Sequence, residues 1–363
     1  MSEGLFNQKT ILVTGGTGSF GNKFVEKVLA EHNPRKIIIF SRDEMKQWEM
    51  QNRLSDPRLR FFQGDVRDKD RLKRAFYGVD IVVHAAALKI VPSAEYNPFE
   101  TIKTNVFGAM NIIDAAIDEG VKRVVALSTD KACNPINLYG ATKLCSDKLF
   151  IAGNSYTGSP YTRFAVVRYG NVMGSRGSII PFFLKQKEKG VIPITDKRMT
   201  RFMITLEQGV DLVFTAVSTM VGGEVYVKKI PSMKVTDIAR VIAPNAKMEY
   251  IGIRPGEKIH ESMISVEDSR TTYEFGNHYR VYPCIDFHNR NDTLIEEHDT
   301  DLSICKHCAA DFHYSSDTNS EWMHEDELRQ WIRSEYPDLV DDEIFSSHVP
   351  SVDLNKSILQ SLT

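Results

Sequence analysis

Short apolar runs alternate with amphipathic segments along the first 130 residues of the chain. Continuous apolar or β-branched runs, which predict β-strands, lie at 9–16, 36–42, 80–87 and 123–129. Segments in which apolar side chains recur at helical spacing lie at 20–32, 71–78 and 97–120. Because the strands are apolar on both faces, helices must cover both sides of their sheet. The alternation therefore predicts an α/β fold with a Rossmann-type, doubly wound parallel sheet.

The pattern becomes looser after about residue 170. Helices are predicted within 174–190, 201–220, 235–243 and 321–336, and strands at 224–229 and 248–253. Residues 253–263 are expected to form a loop that opens onto a further helix. The organisation predicted is a main domain at 1–170, a smaller α/β region at 171–336 interleaved with it, and a tail at 337–363. The smaller region includes a polar, histidine-rich insert at 285–320.

Composition narrows the class of protein. The chain has 363 residues, 42% of them hydrophobic and 26% charged, with a formal net charge of −3, which argues against nucleic acid as the main partner. It contains no apolar run of membrane-spanning length, and its first residues lack the layout of a signal peptide. The odd number of cysteines, five, indicates reduced thiols rather than a disulfide framework, so a cytoplasmic protein is expected.

A glycine-rich turn joins the first predicted strand to the first predicted helix. Gly15, Gly18 and Gly21 are spaced three residues apart at this junction. Glycines let the backbone turn tightly and approach a pyrophosphate, while the N-terminus of the helix offers free N–H groups to the anion. A lone glycine triplet is weak evidence, but its position between strand and helix predicts a dinucleotide-binding site.

The end of the second strand bears on which dinucleotide binds. An acidic residue about 20 residues beyond the glycines would bind the ribose hydroxyls of NAD. Here Ser41 and Arg42 come first and Lys46 follows a turn later, a set that suits a 2′-phosphate, so NADP is favoured. Asp43 and its neighbour Glu44 keep NAD as the alternative. Asp65, in the segment "QGDVRD" (63–68), is expected to contact the adenine, to cap a helix, or both.

A second chemical group follows the strand at 123–129. Tyr139 and Lys143 are four residues apart and share one face of a helix, and Thr129 lies at the strand end. An ammonium beside a phenol, with a positively charged cofactor ring, is expected to lower the phenol pKa toward neutrality. The phenolate can then accept a proton from a sugar hydroxyl. A Tyr-x-x-x-Lys pair alone is common on protein surfaces, but its combination with the glycine turn makes a surface pair improbable.

The motifs together resemble a known family. The glycine turn, "HAAALK" (84–89), Asn105, "STDK" (128–131) and "YGATK" (139–143) resemble the extended short-chain dehydrogenase/reductases that modify nucleotide sugars. Longer stretches, among them "VRYGNVMGSRGSIIPFF" and "RPGEKIHESM", are most similar to the inverting UDP-N-acetylglucosamine 4,6-dehydratases that open the pseudaminic acid pathway. The resemblance covers residues 8 to about 280 and resumes near 312–332.

The resemblance implies a set of cofactor contacts and a homo-oligomer. The implied cofactor-binding residues are Gly15, Thr17, Gly18, Ser19, Phe20, Gly21, Ser41, Arg42, Lys46, Asp65, Val66, Ala85, Ala86, Ala87, Asn105, Tyr139 and Lys143. The implied catalytic residues are Thr129, Asp130, Lys131, Tyr139 and Lys143.

The reaction of such enzymes explains the extra charged residues. Oxidation at carbon 4 of the sugar acidifies the proton on carbon 5, after which water is lost from carbon 6. Asp130 is assigned to protonating the departing hydroxyl and Lys131 to proton transfer at carbon 5, with the division between the two left open. The related dTDP-glucose dehydratases have Glu where this chain has Lys131. The alternative for both residues is a solvated pair at a strand end.

The substrate side is less specific. The resemblance implies contacts to UDP-N-acetylglucosamine from Lys89, Asn171, Arg176, Arg201, Arg254 and Glu257. Arg254 is the strongest candidate for the diphosphate, because a guanidinium binds phosphate oxygens in a bidentate way. Glu257 would orient Arg254 or bind the ribose, and each arginine has a plain surface role as its alternative.

One motif departs from the family pattern. Cys305 and Cys308 form a C-x-x-C with His298, His307 and His313 nearby and Cys284 upstream. A structural zinc ion needs four N or S ligands, and a second cysteine pair is missing. The simpler interpretation is an inserted loop near a subunit contact, so no metal is predicted.

The sequence thus predicts an NADP-dependent UDP-N-acetylglucosamine 4,6-dehydratase, a hydro-lyase, that inverts carbon 5. The enzymatic alternatives are a dehydratase that retains the carbon 5 configuration and a nucleotide-sugar 4-epimerase, in which Asp130 and Lys131 would be idle. The remaining alternative is a non-catalytic nucleotide-binding protein on the same fold, which would be expected to lack Tyr139 or Lys143.

Overall fold

The computed structural model describes residues 4–158, 161–173, 178–284 and 305–335. Its strands are β1 Thr10–Thr14, β2 Lys36–Ser41, β3 Leu59–Gln63, β4 Ile81–His84, β5 Arg123–Leu127, β6 Arg163–Arg168, β7 Asn171–Val172, β8 Val191–Ile194, β9 Thr200–Ile204, β10 Val225–Lys228, β11 Ser232–Lys234, β12 Lys247–Tyr250, β13 Ser262–Ile264, β14 Thr272–Glu274, β15 His278–Val281, β16 Lys306–His307 and β17 Tyr314–Ser315.

Helices cover both faces of the strands in the first half of the chain. The helices of all the described residues are α1 Ser19–Glu31, α2 Glu44–Leu54, α3 Lys69–Phe76, α4 Val91–Tyr96, α5 Pro98–Ile102, α6 Gly108–Asp118, α7 Leu138–Tyr156, α8 Ile179–Lys187, α9 Leu206–Thr219, α10 Val235–Ile242 and α11 Glu325–Glu335. A π-helical turn, Lys103–Phe107, joins α5 to α6. Short 3₁₀ turns lie at Asp130–Ala132 and Glu267–Thr271.

The main sheet confirms the doubly wound prediction. Seven parallel strands lie in the order β3-β2-β1-β4-β5-β6-β10, and β15, β14 and β16 extend the sheet in antiparallel fashion. The strands are apolar on both faces because both faces are buried: β1 is buried at every position. Thr14, the last residue of β1, pairs with both Phe40 and His84, so the carboxyl ends of the central strands meet at one edge. Ligands of open α/β sheets bind at this edge.

A second apolar core lies beside the sheet. It is built by α8, β8, α10 and α11, with Ile180, Ile192, Ile238 and Leu328 among its buried residues. The chain returns to the main sheet between these elements, because β10 is the seventh parallel strand. The two regions are therefore interleaved along the chain.

The structure corrects several predicted elements. Residues 201–204 belong to β9 rather than to the start of a helix, because this run is buried on both sides between β7 and β11. Helix α9 begins only after Thr205, whose side chain forms a capping box with Gln208. Residues 253–263 open onto strand β13 rather than a helix. The helix predicted from 321 begins at Glu325, and α2, which was not predicted, has a largely polar sequence with only Gln47 and Met50 buried.

Candidate active site

The glycine turn leaves no room for side chains. Gly15 has φ +65°, and a Cβ atom there would lie 2.9 Å from the Cα of Ala86. A Cβ on Gly21 would lie 2.4 Å from the carbonyl oxygen of Gly16, so the start of α1 packs directly on the turn. The turn and the first residues of α1 line a large cavity at the carboxyl edge of the sheet. This arrangement fits the diphosphate of a dinucleotide.

The residues at the end of β2 form one end of this cavity, whose wall there includes Ser41, Arg42, Asp43, Lys46 and Asp65. The Asp43 side chain caps α2 by accepting from the backbone N–H of Lys46, and it also contacts the Lys46 ammonium. Arg42 is about half exposed, with its Nη1 3.6 Å from Asp65 Oδ2. Asp43 therefore has a local structural role, whereas Arg42 is half exposed in the cavity wall.

Asp65 is held by an arginine. Its carboxylate accepts from the backbone N–H and the guanidinium of Arg67 at 2.7–3.0 Å. Burial alone would raise the pKa of Asp65, but these hydrogen bonds outweigh burial and lower it. The helix-cap alternative for Asp65 is wrong, because Asp68 caps α3.

The loop after β4 forms the opposite wall. Ala85, Ala86 and Ala87 line the cavity, and the Ala85 N–H donates to the Thr14 carbonyl. Asn105, in the π-helical turn, is buried and holds this loop: its amide exchanges two hydrogen bonds with the backbone of Leu88. The remaining predicted cofactor residues on the wall are Thr17, Gly18, Ser19, Phe20 and Val66. Asn105 thus fixes the conformation of this loop through hydrogen bonds made behind the cavity wall.

The predicted catalytic residues come together beyond the end of β5. Thr129 Oγ1 donates to Asp130 Oδ1 at 2.9 Å, and Lys131 Nζ donates to the same oxygen at 3.0 Å. The Asp130 side chain is fully buried, whereas Thr129 and Lys131 line the cavity in front of it. The pair is therefore not the solvated surface pair of the alternative interpretation.

Tyr139 and Lys143 lie on α7 and line the same cavity. Burial raises the pKa of Tyr139 to about 12, although the charge of Lys131 and a hydrogen bond with Thr129 oppose the rise. The pKa near neutrality was expected with a positively charged cofactor ring beside the phenol and stays a prediction; in the protein alone, burial of the phenol outweighs its neighbours. Burial also lowers the pKa of Lys143, which Asp147 partly opposes. The Lys143 ammonium donates to the Leu127 carbonyl at 2.7 Å, which fixes its position.

Lys131 has further partners from distant parts of the chain. Its Nζ lies 3.4 Å from Asn171 Oδ1 and 3.4 Å from Glu261 Oε1. Burial would lower the pKa of Lys131, but the charges of Asp130 and Glu261 raise it above its ordinary value. Lys131 is therefore a cation across the physiological pH range. Asn171, predicted on the substrate side, contacts this lysine.

The arginines differ in what they contact. Arg201 is buried, and its guanidinium donates to the carbonyls of Thr200, Lys258 and Ile259 at 2.7–3.0 Å. These three bonds hold residues 258–259 in place, and Arg201 also borders the cavity, so its expected contact with the substrate stays a prediction. Arg254 is about half exposed, with Nη1 3.8 Å from Glu257 Oε1. Arg254 remains the better candidate for a diphosphate.

Two predicted substrate residues have different outcomes. Lys89 borders the cavity, where burial and the charge of Lys131 lower its pKa. Arg176 lies outside the described residues. Taken together, the cavity has a volume of about 1390 Å³ and runs from Arg42 to Arg254 past Tyr139. It is large enough for two nucleotide-sized ligands.

Sequence reasoning missed the residues that join the two halves of the site. Glu261 borders the cavity, and Lys258 donates to the Cys133 carbonyl at 2.6 Å. Asn137 caps α7 at Gly140 and also donates to the Gly256 carbonyl at 2.8 Å. These contacts join residues about 120 positions apart, so no local motif signals them. The available sequence signal is that Gly256 and Lys258 belong to the "RPGEK" segment and that Glu261 follows it closely.

The described residues contain neither a metal-binding group nor a helix that could cross a membrane. Within the described ranges, no three His, Cys, Asp or Glu side chains gather as metal ligands. Cys308 is buried in the main core, and His307 Nε2 contacts the Arg270 carbonyl at 3.0 Å. His298 lies outside these ranges. No helix in this part of the chain is long and apolar enough to cross a membrane.

Comparison with known proteins agrees with this geometry. A family model described as polysaccharide biosynthesis protein matches residues 11–283. The chain is 54% identical over 336 residues to UDP-N-acetylglucosamine 4,6-dehydratase (inverting) from Campylobacter jejuni, covering 90% of this chain and 98% of that protein. It is 44% identical over 285 residues to UDP-glucose 4-epimerase from Rickettsia akari, covering 76% and 84%.

Solved structures share the fold. Pen from Bacillus thuringiensis superposes with a TM-score of 0.81 and 37% identity, over 92% of this chain and 99% of that one. DesIV, a dTDP-glucose 4,6-dehydratase from Streptomyces venezuelae solved with NAD and TYD bound, superposes with a TM-score of 0.63 and 25% identity, over 69% and 86%. The chain therefore belongs to the polysaccharide biosynthesis protein family, among the extended short-chain dehydrogenase/reductases.

Proposed function

We propose that this protein is a UDP-N-acetylglucosamine 4,6-dehydratase that inverts carbon 5. Its product is UDP-2-acetamido-2,6-dideoxy-β-L-arabino-hex-4-ulose, and the enzyme is a hydro-lyase. The observation that carries the proposal is the ion pair between the buried Asp130 and Lys131, because Lys131 lines the same cavity as Tyr139. The name of the Campylobacter relative, 54% identical, supports the same substrate and stereochemistry.

A nicotinamide cofactor fits the first half of the cavity. Gly15 and Gly21 leave space for a diphosphate, and DesIV was solved with NAD. When bound, the cofactor supplies reversible two-electron oxidation, so a turnover needs no external oxidant or reductant. NADP is the preferred form in this proposal, because Arg42 projects half exposed at the ribose end while Asp43 is used in capping α2.

The chain's own residues then handle the protons. Tyr139 accepts the proton of the 4-hydroxyl, and Lys143 stabilises the charge that develops on the phenol oxygen. The ketone formed at carbon 4 acidifies the hydrogen on carbon 5. Because Lys131 donates directly to Asp130, it can pass its proton to Asp130 and then take up, as an amine, the proton that leaves carbon 5. Asp130 gives its proton to the departing 6-hydroxyl, which leaves as water. The Lys131 ammonium then returns a proton to carbon 5, and the proton that Tyr139 took from the 4-hydroxyl replaces it, so all three residues end the turnover as they began.

The Rickettsia relative makes a 4-epimerase the second candidate. Epimerisation at carbon 4 uses Tyr139 and Lys143 and requires no proton exchange at carbon 5. In this chain Asp130 is fully buried and paired with Lys131, at a burial cost that a 4-epimerase would not need to meet. A dehydratase that retains carbon 5 stays the third candidate.

The proposal extends to the setting of the enzyme. A homo-oligomer is supported by exposed large apolar side chains clustered along α4 to α6: Tyr96, Phe99, Phe107 and Met110. A cytoplasmic location is supported by the five free thiols. The product is the 4-keto sugar that the first step of pseudaminic acid synthesis supplies.

Proton NMR in heavy water tests the function. Purified protein is mixed with UDP-N-acetylglucosamine without added reductant, and the Y139F variant is the matched control. A new 6-methyl signal, deuterium at carbon 5 and L-arabino couplings are expected. D-xylo couplings would refute inversion, and the carbon 4 epimer alone would establish the epimerase. No change with a bound cofactor would point to another nucleotide sugar or to a non-catalytic protein.

A further inference from the structure

Glu261 is a buried carboxylate in the wall of the cavity, and the proposed chemistry gives it no task. Its side chain is only 3% exposed. The backbone N–H and carbonyl of Glu261 both bond to Ser316, at 2.9 and 2.8 Å, so the main chain at this position is fixed. Its Oε2 has no hydrogen-bond partner among the described residues. A carboxylate held in this way is costly unless it serves a charged neighbour.

That neighbour is the catalytic lysine. Lys131 Nζ has three oxygens around it: it donates hydrogen bonds to Asp130 Oδ1 at 3.0 Å and Asn171 Oδ1 at 3.4 Å, and it forms an ion pair with Glu261 Oε1 at 3.4 Å. An ammonium has three N–H donors, so the two hydrogen bonds leave one N–H, and Glu261 supplies a nearby negative charge. They come from three segments of the chain: the turn after β5, strand β7, and the residue before β13. Lys131 is thus held from three sides.

The other charges facing Lys131 oppose its positive charge. Arg201 lies close enough to lower the pKa of Lys131, and Lys89 and Lys131 likewise repel. Tyr139 also faces Lys131, and Lys258 Nζ lies 3.8 Å from the second oxygen of Glu261. Asp130 and Glu261 are the two carboxylates that compensate these cations. If Asp130 takes up a proton during the elimination, Glu261 is the anion left beside Lys131.

We propose that Glu261 is a positioning residue for the dehydration: with Asp130 and Asn171 it holds the Lys131 ammonium in place and charged while a proton is exchanged at carbon 5. Glu261 itself exchanges no proton. The N–H bond that breaks or forms is that of Lys131 Nζ, and the C–H bond that forms or breaks is that of carbon 5. This role deepens the proposed function and rests on it.

The segment that carries Glu261 is anchored as the role requires. Arg201 holds the carbonyls of Lys258 and Ile259 through two hydrogen bonds at 3.0 and 2.9 Å. Lys258 in turn donates to the Cys133 carbonyl, two residues beyond Lys131. Movement of this segment would therefore move both Glu261 and the turn that carries Lys131.

The test is E261Q, which keeps the size of the side chain and removes its charge. E249Q, the same change at an exposed position, is the control and should behave as wild type. We expect kcat of E261Q to fall about 10- to 100-fold with KM changed less than about threefold. Deuterium exchange at carbon 5 should slow in proportion. The alkaline limb of the kcat–pH profile should move to lower pH by about 1 to 3 units, because the ammonium loses one of its two anions.

A second readout does not depend on turnover. The reactivity of the Lys131 amine toward acetic anhydride, followed by mass spectrometry across pH, reports its protonation directly. Reaction should begin at lower pH in E261Q than in wild type or E249Q. If this shift is seen while wild type fails to dehydrate UDP-N-acetylglucosamine, the proposed function is wrong and the contact stands. If the reactivity profile of E261Q matches wild type, the positioning role is overturned.

E261D keeps the test decisive if E261Q does not fold. It keeps the charge but withdraws the carboxylate by one methylene group. We expect a smaller loss of kcat than in E261Q and an alkaline limb close to that of wild type, since the anion remains. An E261D variant that folds and turns over at the wild-type rate, with unchanged carbon 5 exchange, would overturn the requirement for the 3.4 Å contact.

Discussion

Replacing Lys131 by methionine probes how strongly the site depends on its central cation. The change leaves Asp130 and Glu261, which are 0% and 3% exposed, without the ammonium between them. Removing one partner of a buried ion pair costs about 3–5 kcal/mol, because the other charge stays buried. Asp130 keeps its hydrogen bond from Thr129, and Glu261 keeps Lys258 at 3.8 Å. We therefore expect the lower end, a loss of about 3 kcal/mol in the free energy of unfolding.

The pH dependence of the loss follows from the lysine. In wild type the pKa of Lys131 is raised, so its contribution is fully present below the unfolded lysine value and is lost only as pH rises through the higher folded value. The deficit of K131M should therefore be of similar size at pH 5.5, 7.5 and 9, all of which lie below the ordinary lysine pKa of about 10.4.

Urea unfolding at pH 5.5, 7.5 and 9, at one fixed protein concentration and without added ligands, measures these values. K103M is the matched control: Lys103 lies 3.4 Å from Glu100, as Lys131 does from Glu261, but both side chains are half exposed. That exposed pair should contribute less than about 1 kcal/mol. A K131M deficit no larger than that of K103M, or one that disappears between pH 7.5 and 9, would refute the buried-charge argument.

Three further outcomes are expected. G21A should weaken cofactor binding at least about tenfold, because its Cβ would lie 2.4 Å from the Gly16 carbonyl oxygen and must push α1 away from the turn. Calorimetric titration measures the affinity, and an unchanged affinity would contradict this packing argument. R42A should raise KM for NADP at least about tenfold and change KM for NAD by no more than about twofold. Equal effects on the two KM values would show that Arg42 does not bind the 2′-phosphate. The buried His84 has a pKa lowered to about 3 by burial, so it stays neutral when folded and costs stability as pH falls below about 6.5. In H84Q the free energy of unfolding should fall less steeply with decreasing pH, by up to about 1.4 kcal/mol per pH unit. If urea unfolding shows the same fall below pH 6.5 in H84Q and wild type, the assignment of this fall to His84 is wrong.

Local patterns predicted the first half of the chain well, and physical chemistry explains where they failed. Strands such as β1 and β2 are apolar throughout because both sheet faces are covered, so their runs are unmistakable. The run at 201–204 is equally apolar but was joined to the helix that follows, because its partners β7 and β11 are short and irregular in sequence. A short apolar run has no periodicity of its own that separates strand from helix.

The residues of the site also fall into those that local motifs predicted and those that they did not. Gly15, Tyr139 and Lys143 were predicted because each belongs to a motif whose spacing reflects one strand–turn–helix unit. The degree to which Tyr139 is buried, which raises its pKa in the protein alone, was not predicted, since burial depends on tertiary packing that spacing does not reveal. Glu261 was missed for a related reason: it meets Lys131 across 130 positions of sequence, and only the fold brings them together.

This division bears on which reaction the enzyme performs. In the proposed function Tyr139 and Lys143 would serve any enzyme that oxidises carbon 4 of a nucleotide sugar, and the chain is similar both to a relative named as a dehydratase and to one named as an epimerase. The groups that differ in use are those around Lys131, which receives contacts from Asp130 and Glu261 and is held as a cation. Burying two carboxylates around one ammonium costs desolvation free energy. A dehydratase uses these groups for proton transfer at carbons 5 and 6, whereas a 4-epimerase has no use for them. The choice between the two reactions therefore rests on Lys131 and its partners, and a K131M variant that still interconverts carbon 4 epimers but forms no 6-methyl product would separate the two halves of the site.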